Sequence, residues 1–463
     1  MKYPRKIRER ENRIRRANFI LSGKNQSLRL TYLGGSDKIL FDKFSFIKNN
    51  ILSELFMDRK DGVNCRLIFT ICWTVYSLVY TARLNLSVAA PQLGADGTVN
   101  AAEISVMSGL FFFSYAFGQI INGRAGDRFN PKNVLSIGLL LSGFSNLGVG
   151  LAVSFFTSPV LLTVLWTVNG YAQSMLWGPI LRIVSVVFTD EKRKTATMAL
   201  SVSVAVSNIL GYALPMLFLS AAGLPGAFII PGTVSLVSAA AVMIFMRRVS
   251  PPRQKTTRVS LIRLGLDRRT RVFLLPAFLH GIIKDNLALW MPLLFSTLYG
   301  GLSGILTVMY ILMSPIMMLV GRLIYPLIYR LLFRDERYVC IVSFSVIVSA
   351  LIPLAAADVS APVTAVVFCI VSMCISVING TLLSVFPLRF AEENCVSSAA
   401  GLMDFVTYIG AAVSMFALGG FMDRPGGHTV LIAVWLACAA LSVVLLGVSA
   451  AISRKKDKSG LQQ

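Results

Sequence analysis

Arg83 is the residue in this chain best placed to do chemistry. It interrupts the run from Trp73 to Pro91, which is otherwise apolar and long enough to cross a bilayer. A guanidinium keeps its proton and costs about 3 kcal/mol at the centre of a membrane helix on insertion scales, so Arg83 should face a polar interior rather than lipid. Tyr76, Tyr80 and Arg83 recur at i, i+4 and i+7 and share one helical face. A cation beside two phenols is one wall of an anion site. The competing reading places Arg83 near a helix end, snorkelling to the interface, and the apolar sequence on both sides argues against it. A second group lies in the run His280-Gly-Ile-Ile-Lys284-Asp285-Asn286. His280 is one turn from Lys284 on the same face, which permits proton coupling, with a satisfied core histidine as the alternative. Asp285 follows Lys284 directly, but helix neighbours point about 100° apart and need not pair.

These residues must be held by membrane helices. Of the 463 residues 55% are hydrophobic, and the mean hydropathy of +0.70 arises from long apolar blocks. That is the composition of a polytopic membrane protein. The net charge of +22 comes in short basic clusters between the blocks, without the aromatic-interleaved basic surface of a nucleic-acid binder. Seven scattered cysteines with no CxxC and two histidines support neither a disulfide framework nor a metal site. No metal or cofactor is predicted.

Twelve spans of roughly 20 residues each are predicted, over 66–93, 102–124, 132–154, 158–188, 194–221, 226–247, 270–299, 302–331, 337–357, 361–389, 397–421 and 428–452. The loops alternate in charge. Gly123–Lys132, Glu191–Lys194, the stretch 247–271, Arg334–Arg337 and Arg454–Lys456 fall on one side, whereas the opposite loops are nearly free of Lys and Arg, Arg424 excepted. By the positive-inside rule both termini are cytoplasmic. Residues 1–60 carry fifteen Lys/Arg against six Asp/Glu without periodicity. They read as a basic cytoplasmic extension, disordered or partly helical, or as a start-site artefact preceding Met57. The organisation is then 1–60, an N-terminal six-helix half over 61–247, a cytoplasmic linker at 248–269, a C-terminal six-helix half over 270–453 and a tail at 454–463.

The halves echo one another. Asn169-Gly170 in span 4 precedes Gly178-Pro179-Ile-Leu-Arg182, and Asn379-Gly380 in span 10 precedes Phe386-Pro387-Leu-Arg389. Matches six spans apart are what a parallel-repeat transporter predicts, with its site at the repeat interface near the midplane.

Gly123-Arg-Ala-Gly-Asp127-Arg128-Phe-Asn130-Pro131 after span 2 resembles the signature of the major facilitator superfamily, in the form used by organophosphate:phosphate antiporters. The span 4 run Asn169-Gly170-Tyr-Ala-Gln173-Ser-Met-Leu-Trp177-Gly-Pro179-Ile-Leu-Arg182 is similar to the same family, as are Tyr76, Tyr80, Arg83, Asn85 and Pro91. The resemblance covers roughly residues 65–450. It implies an all-α membrane protein of about twelve transmembrane helices in two pseudo-symmetric halves, working as a rocker-switch exchanger. It further implies that a phosphate is held by one cation from span 1 and one from span 7, here Arg83 and Lys284, with Tyr76, Tyr80, Trp177 and Asn286 around them. This chain departs from the pattern at several points. Leu84 and Gln119 stand where glycerol-3-phosphate members carry lysines, Ser207 stands where they carry a histidine, and Asp285 and Asp404 stand where they are neutral. The site is therefore less positive than a phosphate-ester exchanger's, and lysine lacks the planar fork of arginine.

Asp404 lies one turn before Tyr408 in span 11, and a major facilitator fold brings spans 7 and 11 together. The expectation is that Lys284 pairs with Asp404 in the empty site, Asp285 being the rival, and that Asp404, Asp285 and His280 form the coupling set. Asp127, Arg128, Arg182 and Arg389 fall at loop ends and read as gating or interface charges.

Enzyme and pump readings lack support, since neither a dinucleotide fingerprint nor a phosphate loop is found, and no filter or charge ring suggests a channel. The sequence predicts a monomeric secondary active transporter in a bacterial-type plasma membrane, moving a small organic anion. An organophosphate or sugar phosphate is the leading candidate, with inorganic phosphate or a proton as coupling species. A transporter-like membrane sensor of a sugar phosphate, acting through a signalling partner, is the alternative.

Overall fold

The computed structural model describes residues 59–460 except 61–62, 98, 156–157, 189, 248, 250–260, 301–303, 333–334, 357–358, 391–395, 423 and 425. The basic N-terminal extension, but for Arg59 and Lys60, and most of the inter-half linker lie outside the described residues. A two-residue antiparallel hairpin, Arg59–Lys60 with Val63–Asn64, leads into the first span. All else of regular structure is helical.

Span 1 is a helix in two parts, Cys65–Val79 and Thr81–Ala95, and Asn64 caps its start by accepting from the Leu67 amide. Spans 2 and 3 are Ala101–Arg128 and Pro131–Phe155. Span 4 is also divided, into Pro159–Gln173 and Trp177–Val187. Spans 5 and 6 run through Asp190–Phe245, and Gly223, at φ 68° and ψ −170°, separates them. A single helix of that length would exceed twice the roughly 30 Å hydrocarbon thickness, so the reversal at Gly223 makes it two crossings. Spans 7 to 9 are Arg268–Leu298, Gly304–Leu331 and Glu336–Ala356. Span 10, Ala361–Gly380, continues as a π-helical turn over Thr381–Val385 and a 3-10 turn over Phe386–Phe390. Spans 11 and 12 are Val396–Met422 and Gly427–Gly460. Among the described residues ten helices are individually long and apolar enough to cross a membrane. The reversal at Gly223 and the divided span 4 bring the crossings to the twelve read from sequence.

Small residues set the packing. Any side chain on Gly170 of span 4 would collide with the Phe111 backbone of span 2. A Cβ on Gly380 of span 10 would sit 3.0 Å from Nη1 of Arg322 in span 8. Thus the two Asn-Gly pairs seat equivalent helix pairs in the two halves, and each span changes its winding just beyond the pair. Spans 7 and 11 approach backbone to backbone: a side chain on Gly281 would strike the Thr407 carbonyl, and one on Gly410 the Phe278 carbonyl.

Large apolar side chains such as Phe113, Phe144, Phe155 and Val160 are exposed along the outer faces, as lipid-facing positions must be. Buried polar groups are correspondingly turned inward. In the N-terminal half Asn85 donates to Asn146 Oδ1 at 2.8 Å and to the Ala227 carbonyl at 3.0 Å, while Asn146 and Asn169 both donate to the Ala82 carbonyl, at 3.2 and 2.8 Å. Ser142 donates to Asn169 Oδ1 and accepts from Gln173. This network ties spans 1, 3, 4 and 6 together immediately beside Arg83.

Candidate functional site

The break in span 1 aims the arginine. Helical bonding lapses at Tyr80, Thr81 Oγ1 donates to the Leu78 carbonyl at 2.6 Å, and the next helix begins with the peptides of Arg83 and Leu84 donating to Tyr80 O. With the neighbouring Ala82 carbonyl held by two asparagines, the Arg83 side chain is fixed in direction. It projects to the junction of the halves and is 9% exposed.

There Arg83 Nη2 donates to the hydroxyl of Tyr408, in span 11, at 3.0 Å and lies 4.0 Å from Asp285 Oδ1, in span 7. Its guanidinium carbon is 5.0 Å from the ring centroid of Tyr80, 4.9 Å from Tyr115, 5.3 Å from Tyr408, 5.6 Å from Phe111 and 5.9 Å from Phe112. Five aromatic rings thus surround one cation, a setting in which cation–π attraction of about 0.5–2 kcal/mol per good contact offsets part of the desolvation cost. Arg83 is a buried cation, not an interface residue.

Lys284 Nζ is 3.2 Å from Asp285 Oδ2 and 4.3 Å from the ring centroid of Tyr408. Asp285 therefore lies between both cations, one oxygen toward each. Asp404 is half-buried within electrostatic reach of Lys284, Arg83 and Asp285, but among the described residues it forms no ion pair. The expected Lys284–Asp404 pair is not formed in this conformation, and the rival, Asp285, holds the ammonium. The reason is local geometry, since the two side chains converge despite their adjacency. Two cations and two carboxylates face one another here.

Tyr76 is buried with its ring 4.6 Å from Trp177 and 6.1 Å from Tyr80. Trp177 opens the second part of span 4, so the break at 174–176 brings it to the tyrosine face. Asn286 corrects the sequence reading. Its Nδ2 donates to Ile282 O at 2.7 Å and to Ser414 Oγ at 2.6 Å, and its Oδ1 accepts from Trp290 at 3.2 Å. Fully buried, with both amide hydrogens spent on protein acceptors, it fastens span 7 to span 11 and has no donor left for an anion. His280 is 1% exposed, packed near Phe344 at a centroid distance of 6.5 Å and facing the side chain of Asn379 in span 10.

The charges assigned to gating are dispersed. Arg389, in the 3-10 turn ending span 10, pairs with Glu336 at the start of span 9, and Tyr329 donates to the same carboxylate at 3.3 Å. Arg269 reaches the Arg389 carbonyl at 3.4 Å and stacks 4.3 Å from the Phe390 ring. This ion pair therefore lies inside the C-terminal half. Arg182 is half-buried in the second part of span 4. Asp127 and Arg128 end span 2, and their side chains lie outside the described residues.

One residue escaped the sequence reading. Arg322 stands within the apolar run of span 8, and its guanidinium turns inward against Gly380. The signal that singled out Arg83, one arginine amid membrane-length apolar sequence, applies to it equally.

Contacts between halves concentrate from mid-span toward the end opposite the basic loops. Ser87 donates to the Ala288 and Leu289 carbonyls at 2.8 and 2.7 Å, Tyr212 donates to Ala288 O, and Ser105 donates to Met415 O. Gly109 lies under Phe416, and Gly419 lies against Ser105. Toward the basic end, Phe117 meets Phe405 at 5.4 Å between ring centroids.

The Major Facilitator Superfamily profile matches residues 72–415, and the chain belongs to that family. It is similar, at 28% identity over 172 residues, to a probable hexose phosphate transport protein of Chlamydia pneumoniae, the match covering 36% of each chain. Over 113 residues it is 29% identical to the membrane sensor protein UhpC of Escherichia coli, covering 24% of each. These alignments span about a third or less of the curated relatives' length. Among solved structures, the nucleoside transporter NupG superposes with a TM-score of 0.65 at 14% identity, covering 83% of this chain and 98% of that one, a likeness of fold.

Proposed function

We propose that this chain is a secondary active transporter that carries a small organic anion, of the sugar phosphate or organophosphate class, across a bacterial-type plasma membrane by alternating access. The observation that carries this reading is Arg83. It is a permanently charged fork, held at the junction of the halves, whose hydrogen-bond partner Tyr408 belongs to the other half. An anion bound there would touch both halves at once. The hexose phosphate relative supports the substrate class.

Arginine suits phosphate because its planar donors match two oxygens at once. That donor capacity is shared with Tyr408 and Asp285. An arriving anion competes with Asp285 for Arg83, and the nearby carboxylates then repel it unless a proton joins them or the anion carries enough charge to displace them. Two coupling species fit this competition: inorganic phosphate, exchanged for the substrate on the same cations, and a proton taken by Asp404. Reading the basic loops as cytoplasmic puts the sealed end outside and both termini inside.

Purified protein reconstituted into vesicles loaded with inorganic phosphate tests the proposal. Saturable uptake of labelled hexose 6-phosphate, competed by external phosphate, is expected. Binding of the ester without flux would instead support the sensor reading that the Escherichia coli relative raises. Absence of both would overturn the substrate class.

A further inference from the structure

Span 8 carries the strongest charge left unused by the site described above. Arg322 lies nine residues before the end of Gly304–Leu331, about 13 Å along the helix from it, with apolar residues on both sides. Snorkelling would send the side chain along the lipid-facing surface toward the basic end. Instead Nη1 sits 3.0 Å from where a Cβ of Gly380 would be, so the guanidinium lies on the bare backbone of span 10. Span 10 leaves regular winding at this point for the π turn beginning at Thr381, a feature that recurs at functional sites.

Among the described residues Arg322 has neither an ion pair nor a hydrogen bond, and no acid acts on it electrostatically. The groups that do are the phenols of Tyr325, in its own span, and Tyr80, in the other half. Tyr80 also lies 5.0 Å beneath the Arg83 guanidinium. One half-buried tyrosine is therefore in contact with Arg83 and within electrostatic reach of Arg322, an arginine of the opposite half. At the Arg83 end, Arg83 and Lys284 face Asp285 and Asp404. Among the described residues no acid faces Arg322.

We infer that Arg322, with Tyr80, is the anion-binding cation of the C-terminal half, the phosphate or carboxylate of the substrate bridging Arg83 and Arg322 while Lys284 stays with Asp285. This rests on the transport reading and specifies which residue holds the anion. An uncompensated guanidinium in a membrane core is retained at a cost, and a bound anion removes that cost only when present. Binding would also draw span 8 toward span 1, joining the halves on the side of the site away from the seal.

The test uses full-length protein in detergent and in vesicles, with inorganic phosphate and glucose 6-phosphate as probes. Arg322→Gln is expected to weaken binding of both probes at least 30-fold, and Arg322→Lys, which keeps charge but not the fork, about 10-fold. Arg322→Cys supplies a readout independent of those variants. A charged methanethiosulfonate should modify it from water, and a cationic adduct should restore binding that an anionic adduct does not. Wild-type affinity in Arg322→Gln, or a cationic adduct at position 322 that restores no more binding than an anionic one, would overturn the inference while leaving transport by the wild type intact. Failure of wild-type protein to bind any organic anion would instead remove the functional reading beneath it.

Discussion

At the scale of single residues, the site depends on which carboxylate holds which cation. Arg83→Lys keeps the charge but loses the planar fork that meets two phosphate oxygens at once, so substrate affinity should fall roughly 10-fold with expression unchanged; that corresponds to about 1.4 kcal/mol. Uptake kinetics read the change, and wild-type kinetics would remove Arg83 from the site. Asp404 has electrostatic neighbours but no ion pair, which leaves it available to a proton. Asp404→Asn should therefore lose proton-driven accumulation while counterflow persists across pH, and accumulation equal to wild type at every pH would make Asp404 structural. The legibility of these residues in sequence was uneven for a physical reason. A lone arginine in an apolar run announces itself, because its desolvation cost is unambiguous. Neighbouring polar residues such as Lys284, Asp285 and Asn286 do not reveal their partners, since helix direction and the opposing span decide them. Asn286 spends its amide oxygen on Trp290, one turn on, but an amide hydrogen on Ser414 of span 11, which its own stretch of chain does not identify as a partner.

At the scale of elements, apolar length located the spans to within a few residues, but the irregularities that aim side chains stayed hidden. The lapse at Tyr80, the break at 174–176 and the π turn after Gly380 arise from cross-span bonds and close contacts, and neither pattern leaves a trace in hydropathy. Glycine contacts are the sharpest test of this level. Gly281→Ala and Gly410→Ala would each drive a methyl group into a carbonyl of the partner span, and overpacking of this kind costs about 1–3 kcal/mol or more. Both variants should lower the thermal midpoint of the purified protein by several degrees, whereas Gly401→Ala, which meets open space, should leave it unchanged. The ends of the spans offer a pH test. Burial raises the carboxyl of Asp335, but hydrogen bonds from Arg337, at 2.9 Å from its amide and 2.7 Å from Nη2, outweigh this and hold it below the ordinary range. A depressed carboxylate contributes stability above its unfolded pKa and loses it as pH falls through the folded value. Acid unfolding of the wild type below about pH 4 should therefore be steeper than that of Asp335→Asn, and identical profiles would show that the pair contributes nothing.

At the scale of the whole molecule, the two halves meet chiefly where span 2 packs along span 11, and polar contacts at the end opposite the basic loops decide whether that end stays shut. The hydrogen bonds from Ser87, Ser105 and Tyr212 to backbone across the junction contribute about 0.5–1.5 kcal/mol each, so together they add a few kcal/mol to the seal. A bias of that size holds one conformation as the major one while keeping its alternative within thermal reach, which alternating access requires. Ligand energy need only exceed that bias, and a bridging anion supplies it at the other end of the same interface. Gly419 is where the seal is most easily opened, because any side chain there would occupy the space of Ser105. Gly419→Leu should break the bond from Ser105 to Met415 and push span 2 from span 11. Spin labels on Gly94→Cys and Thr297→Cys, at the sealed ends of spans 1 and 7, should then report a distance several ångströms longer than in the parent protein, and phosphate should shift the distribution further. An unchanged distance in Gly419→Leu would mean that the halves are held together elsewhere, and that the Ser87, Ser105 and Tyr212 bonds are a consequence of closure rather than its cause.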